Sequence, residues 1–438
     1  MRLGFDHCSE RFAWRVVLAV AGATILLFGY IQHRYTGSQT TDSNQNPDYI
    51  SILEKDGRFT GNTEECREKT HFAFLKVPKA GSSTIQNILF RFGTLRWLTF
   101  VLPKYANYIG RSRVINDAAI LPPPQGKKYE ILCNHVMYDH SEFARILPSD
   151  AVFIGIVREP LPQLESYLYY YHFHDVPTDD KLTEYLDDPY TYALGKNIRP
   201  NPQTYYYGLD DRDRTNPTAI KEFISKIQRE FDFIIVLERL DESLLLLKRK
   251  LCWKLTDILY IRKNTNRSNP RRARSHPQRT KHKAVALAEY RFYEHFQNEL
   301  IREIVQQGVD FQNELDFYKN ILRSVKSFCL DNRRQWQDQF YIPSSKWNPE
   351  TNVSAVVCHV MLLPELQLLD LVGKRQYGQS RWEELHPDIP IGYNRVGKNV
   401  KETNVAVKMK NGQLIKKVYF NYKKQHNLEP PPRKYYIR

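Results

Sequence analysis

Nowhere in the 438 residues does a Gly-x-x-x-x-Gly-Lys-Ser/Thr run occur, so ATP or GTP hydrolysis on a Walker loop has no support. No two of the six cysteines stand at Cys-x-x-Cys spacing, which argues against a zinc site. Zinc-finger, RNP and helix-turn-helix signatures are missing, so nucleic acid is not the expected partner. Internal repeats are missing as well. Acidic residues are in deficit, 49 against 64 basic, for a net charge of +15. That balance favours anionic partners: nucleotides, acidic glycans or anionic lipid surfaces. The apolar run Val16 to Ile31 is unbroken by charge and is bracketed by Arg15 and Arg34. No small-x-small cleavage site follows it, only the bulky Tyr30, Ile31, Gln32 and His33, which favours a retained anchor over a cleaved signal peptide. The run is short for a plasma-membrane span but suits a thinner early-secretory membrane. Arginines at its N-terminal side place the N-terminus in the cytoplasm, a type II topology.

The chain then divides into a cytoplasmic tail at 1–12, a signal-anchor transmembrane helix at 13–34 and a polar stem at 35–65. A globular unit spans 66–330, and a C-terminal extension at 331–438 carries no legible chemistry. Five cysteines lie beyond the anchor, Cys66, Cys133, Cys252, Cys329 and Cys358, so at least one stays free or pairs between chains. Cys66 and Cys329 flank the globular unit and are candidates to staple its ends. Asn266 and Asn352 head two sequons that could carry glycans in a lumenal compartment.

The stretch around which the chain is organised is His71 to Phe92. His71 to Val77 is apolar and aromatic and reads as a buried strand. Pro78, Lys79, Ala80 and Gly81 make a punctuated turn. Ser82, Ser83 and Thr84 then open a helix whose apolar stripe is Ile85, Ile88, Leu89 and Phe92. Strand, small-residue loop and helix together form a phosphate cradle: Gly81 allows close backbone approach, the helix start offers N–H donors, and Lys79 adds a full charge. An ordinary strand-to-helix turn with a surface lysine is the plain alternative. Lys76 either faces the core or assists the loop.

Further strands are predicted at Tyr129 to Cys133, Ala151 to Val157 and Phe233 to Leu237. Helices are expected from Ser141, which would cap the first of them, from Pro160, from Asp241 to Leu251, from Lys283 to Gln307 and from Phe311 to Phe328. Thr256 to Ile261 reads as extended, and Asn411-Gly412 as a hairpin turn. Arg262 to Lys283 is densely basic, either a solvated loop or one that closes over a phosphorylated nucleotide. Alternating strands and helices imply an α/β fold, a P-loop-like parallel sheet flanked by helices. Lys79, His135 and Arg158 each follow a predicted strand, so all three belong on the rim of the sheet where ligands bind. Ser166 lies on the helix after Arg158, and a ligand with two separated phosphates fits the pair of anion sites. His135 is either a catalytic base or a hydrogen-bonded core histidine. Arg158 could instead pair with Glu159 or Glu165, and Glu238 ends a strand on the same rim, in reach of an acceptor.

Lys-Val-Pro-Lys-Ala-Gly-Ser-Ser-Thr resembles the 5′-phosphosulfate loop of carbohydrate sulfotransferases, and Ile-Val-Arg-Glu-Pro-Leu-Pro-Gln-Leu-Glu-Ser-Tyr their 3′-phosphate motif. Ser-Ser-Thr-Ile-Gln-Asn-Ile-Leu-Phe-Arg-Phe-Gly, Cys-Asn-His and Phe-Asp-Phe-Ile-Ile-Val-Leu-Glu-Arg narrow the resemblance to the galactose 3-O-sulfotransferases, over residues 66 to 330. The resemblance implies the donor 3′-phosphoadenosine 5′-phosphosulfate, a galactose acceptor on a glycolipid or glycan, no metal, and a type II Golgi membrane enzyme with a lumenal catalytic domain. It implies donor contacts from Lys79, Ala80, Gly81, Ser82, Ser83, Thr84, Arg158 and Ser166, with Lys79 and His135 catalytic. A uronic-acid polysaccharide acceptor, or an inactive membrane-anchored glycan-binding protein, remain the competing readings, and homo-oligomerisation is left open.

Overall fold

A computed structural model describes residues 66–104, 107–110, 115, 117–171, 179–193, 201–262 and 276–385, with the backbone of strands 404–410 and 413–420. Its centre is a four-stranded parallel sheet: β1 (Phe72–Phe74), β2 (Ile131–Leu132), β3 (Val152–Val157) and β4 (Phe233–Val236), in the order β2-β1-β3-β4. The strand sequences FAF, VFIGIV and FIIV are almost continuously apolar and buried. That is the pattern of a parallel sheet covered on both faces. Gly155 in β3 has a positional cause. A Cβ there would lie 2.2 Å from the Tyr207 hydroxyl oxygen, which crosses β3 to donate to the Ile156 carbonyl.

Four helices matter for the site: α1 (Ser82–Leu95) after β1, α2 (Pro160–Tyr171) after β3, α3 (Leu287–Gln306), which packs on β4, and α4 (Glu365–Tyr377), which packs on α1. The expected single helix from Lys283 to Gln307 is two, His276–Val285 and Leu287–Gln306, broken at Ala286 (φ −115°, ψ 40°). Neither Gly nor Pro marks that break. Three other local expectations are corrected. Asp139, not Ser141, caps the helix His140–Ile146 by accepting from Glu142 N. Arg239, not Asp241, occupies the N-cap of Leu240–Leu251. Leu255–Ile258 is a 3-10 turn rather than extended chain. Strands Asn404–Lys410 and Gln413–Phe420 pair antiparallel about residues 411–412, as a hairpin there requires.

The segment after residue 330 folds back onto the sheet domain. A short antiparallel pair, Gln339–Ile342 with Thr351–Ser354, leads into the helix Ala355–Leu362 and then α4. Ile342, Val353, Met361, Leu368, Leu369, Val372 and Trp382 belong to the same buried cluster as Phe72 and Ile154. Backbone groups join too: Asn87 Nδ2 donates to Val360 O at 3.0 Å, and Phe100 exchanges two hydrogen bonds with the Gln376 amide at 2.8 and 3.1 Å. The boundary expected at 330 therefore falls inside one continuous core.

The disulfides are Cys66–Cys252 and Cys329–Cys358, with Cys133 buried and free. The Cys66–Cys329 staple does not form. The entering chain runs beside the end of the helix Leu240–Leu251, where Lys69 N donates to Leu251 O, and this puts Cys66 next to Cys252. Among the described residues no helix is long and apolar enough to cross a membrane. The expected span at 13–34, the stem at 35–65 and the Asn266 sequon lie outside the described residues, as do 263–275 of the basic run.

Candidate active site

The turn after β1 leads directly into the first turn of α1. Lys79 (φ 60°) and Gly81 (φ 79°) both adopt the left-handed conformation. Only glycine suits position 81, because a Cβ would stand 2.4 Å from Leu237 Cδ1. Ser82 Oγ donates to Val77 O at 2.7 Å and closes the turn. Ser82, Ser83 and Thr84 form the first turn of α1, which carries no acidic residue to neutralise the positive end of the helix.

Two side chains clamp the turn. Arg158, buried at the carboxyl end of β3, donates from Nη1 to Lys79 O at 2.6 Å. Gln163 of α2 donates from Nε2 to Pro78 O at 2.8 Å. Arg158 is itself fixed by Gln203, whose amide accepts from Arg158 N at 2.7 Å and donates to Arg158 O at 2.8 Å. The buried Glu289 of α3 holds Gln203 and Thr204 in turn. The Lys79 ammonium packs 3.9 Å over the Tyr170 ring of α2. Burial first, then the charges of Arg158 and Lys76, lower the Lys79 pKa to about 8. Ser166 lies one turn beyond Gln163 on α2 and is half-buried.

His135 follows β2 and is nearly fully buried. A parallel bridge to Tyr108 positions its backbone, and the Tyr108 ring stacks on the imidazole at 4.8 Å. Nδ1 lies 3.0 Å from the Lys76 carbonyl and Nε2 lies 3.0 Å from Lys76 Nζ. A carbonyl only accepts, so Nδ1 carries the proton and Nε2 presents the lone pair. Burial and the neighbouring Lys76 push the imidazole pKa well down, so the ring is neutral.

Lys76 points into the site rather than into the apolar core. Its Nζ reaches Glu365 Oε2 at 3.1 Å and Ser83 Oγ at 3.4 Å. Ser83 Oγ donates to the same carboxylate oxygen at 2.8 Å, and Asn107 Nδ2 donates to Oε1 at 2.5 Å. Burial pushes the Glu365 carboxyl up. The charges of Lys76 and His135 and the hydrogen bonds from Asn107 and Ser83 outweigh it and keep the group ionised. Glu238, in the turn after β4, accepts from Glu159 N at 3.1 Å, and burial raises its pKa.

Lys79, His135 and Arg158 thus stand on one rim, as their places after successive strands require. Sequence reasoning passed over Gln163, Gln203, Asn107 and Tyr108, held Lys76 in reserve, and had no view of Glu365. Lys76 did carry a signal, since a lysine inside an otherwise buried strand must find a counter-charge. Glu365 carried none beyond Pro364-Glu365, an unremarkable helix start.

A family model described as galactose-3-O-sulfotransferase matches residues 7–376. Human galactosylceramide sulfotransferase is 28% identical over 355 residues, covering 74% of this chain and 83% of that protein. Human galactose-3-O-sulfotransferase 2 is 28% identical over 360 residues, covering 75% and 89%. Human galactose-3-O-sulfotransferase 3 is 32% identical over 212 residues, covering 46% and 49%.

Proposed function

The chain belongs to the galactose-3-O-sulfotransferase family, and from that premise we propose that it transfers a sulfuryl group from 3′-phosphoadenosine 5′-phosphosulfate to a galactose hydroxyl, the 3-OH, of a glycolipid or glycan. Membership supports a carbohydrate sulfotransferase. The observation that carries the proposal is the Arg158–Lys79 contact of 2.6 Å on one rim of the sheet, at the start of α1, whose own first turn carries no acidic residue. Cationic and N–H donors of that kind fit a bis-anionic nucleotide.

The donor supplies an activated sulfuryl group. Lys79, the backbone N–H groups of Ala80 and Gly81, and Ser82, Ser83 and Thr84 hold its 5′ end, while Arg158 and Ser166 hold the 3′-phosphate. The acceptor oxygen forms a bond to sulfur as the bond from sulfur to the phosphate oxygen breaks, and the electron pair leaves with the phosphate. Lys79 stabilises the charge that develops there. The acceptor proton passes to Nε2 of His135, the ring nitrogen left unprotonated by the Lys76 carbonyl. Lys76 must turn from Nε2 toward the donor for that lone pair to serve. The scheme calls on no metal ion.

We place the enzyme in the Golgi membrane with its catalytic domain in the lumen, held by the apolar run at 16–31. Two disulfides support an oxidising compartment. Protease treatment of intact microsomes that digested the catalytic domain would refute this placement. The activity test is transfer of radiolabelled sulfate to galactosylceramide, lactosamine and desulfated heparan. We expect labelling of the two galactosides, abolished by His135→Ala. Labelling of heparan alone would move the acceptor to a uronic-acid polysaccharide, the reading that the +15 charge favours.

A further inference from the structure

We propose that Glu365, carried by the C-terminal segment, is a positioning residue of the reaction centre. It keeps Ser83 and the Lys76 ammonium at the rim as that ammonium turns from Nε2 toward the donor, and it supplies the negative charge that lets His135 take a proton beside a lysine. The inference rests on the sulfuryl-transfer reading above.

Lys76, Lys79 and Arg158 bring three cations to one rim, and Glu365 is the carboxylate bonded to Lys76. When His135 gains a proton at Nε2, an imidazolium stands in a pocket that already holds the Lys76 ammonium, 3.0 Å away in this structure. Two like charges that close in a buried site oppose the proton transfer unless a third charge offsets them. Glu365 Oε2, 3.1 Å from the same ammonium, is that third charge. It is not itself a suitable base. Its two oxygens already accept from Lys76, Ser83 and Asn107, and such donors stabilise the ionised form. The hydrogen bond from Ser83 Oγ also sets the rotamer of a cradle serine from outside the cradle. An acid in the first turn of a helix can serve the helix dipole alone. Here, however, only 20% of the side chain is exposed, and its partners are Lys76 beyond β1, Ser83 of α1 and Asn107.

The test uses the full-length chain and Glu365→Gln, which keeps the shape and removes the charge. We expect kcat of the folded protein to fall about 100-fold, the size of a general-base contribution, with the donor KM within about threefold; the melting temperature should drop as the buried Lys76 loses its counter-charge. A kcat within threefold of wild type, or a loss confined to KM, overturns the proposal. A second readout needs no turnover: in protein labelled with ¹⁵N-histidine, the His135 Nε2 resonance should move in Glu365→Gln as Lys76 loses its anchor. An unmoved resonance also overturns the proposal. If wild type sulfates no acceptor, the reading of the reaction fails, and this resonance alone decides whether Glu365 governs the Lys76–His135 pair.

Discussion

Two buried clusters of charge in this protein are built from similar side chains and differ in one respect. In the first, Glu314 of the helix Gly308–Leu330 accepts from Lys248 Nζ and Arg249 Nε, both at 2.7 Å, and Arg249 continues to Asp310 at 2.6 Å. Lys346 also reaches Asp310 at 2.6 Å, so three cations meet two carboxylates, and the cluster ties the helix Leu240–Leu251 and the chain at Lys346 to the helix Gly308–Leu330. In the second, Lys76, Lys79 and Arg158 converge while Glu365 alone is bonded to Lys76. In the first, every cation lies within 2.7 Å of a carboxylate oxygen. In the second, the cations gather at the start of α1, where the charges of Arg158 and Lys76 help to lower the Lys79 pKa. Like charges gathered in one buried place oppose one another, and an anionic ligand would relieve them.

The comparison can be broken at several points. Lys79→Ala should reduce transfer about 1,000-fold, the loss expected when a donor to a developing charge is removed, while thermal unfolding stays near wild type. Glu314→Ala should do the reverse. Leaving Lys248 and Arg249 buried without their partner should destabilise the fold by about 3–5 kcal/mol, read by urea unfolding, with unchanged kcat for the molecules that remain folded. A smaller effect concerns pH. The Lys79 pKa is lowered from 10.5 to about 8, so its charge is lost as pH rises through that value. Affinity for adenosine 3′,5′-bisphosphate, measured by calorimetry, should fall about tenfold for each pH unit above it. Lys79→Arg should flatten that slope, because guanidinium stays charged. Smallest of all, Lys281→Ala removes an ion pair to Asp187 whose side chains are each more than half exposed. It should change stability by less than about 0.5 kcal/mol.

The second cluster also shows what was legible in the chain. Lys79, His135 and Arg158 could be placed on one rim because each follows a strand, and that is local information. The strands themselves were readable from runs such as VFIGIV, since burial on both faces leaves no room for polar residues. Glu365 was not readable, because its partner Lys76 lies 289 residues earlier and nothing near Pro364 demands a buried carboxylate. Cys66 posed the same difficulty: its partner was fixed by where the helix Leu240–Leu251 ends, not by spacing. Helix ends failed for a different reason. Asp139 and Ser141 are both good caps by type, and only the backbone geometry chooses between them.

The distance in sequence between Lys76 and Glu365 has a consequence in time. At ribosomal rates of about 5–20 residues per second, roughly 15 to 60 s separate the synthesis of the lysine from that of its counter-charge. Through that interval the nascent cradle has its cations without their carboxylate, and it becomes complete only when α4 docks. The catalytic rim is therefore among the last parts of the molecule to be finished, although the residues that define it are among the first of the globular unit to be made.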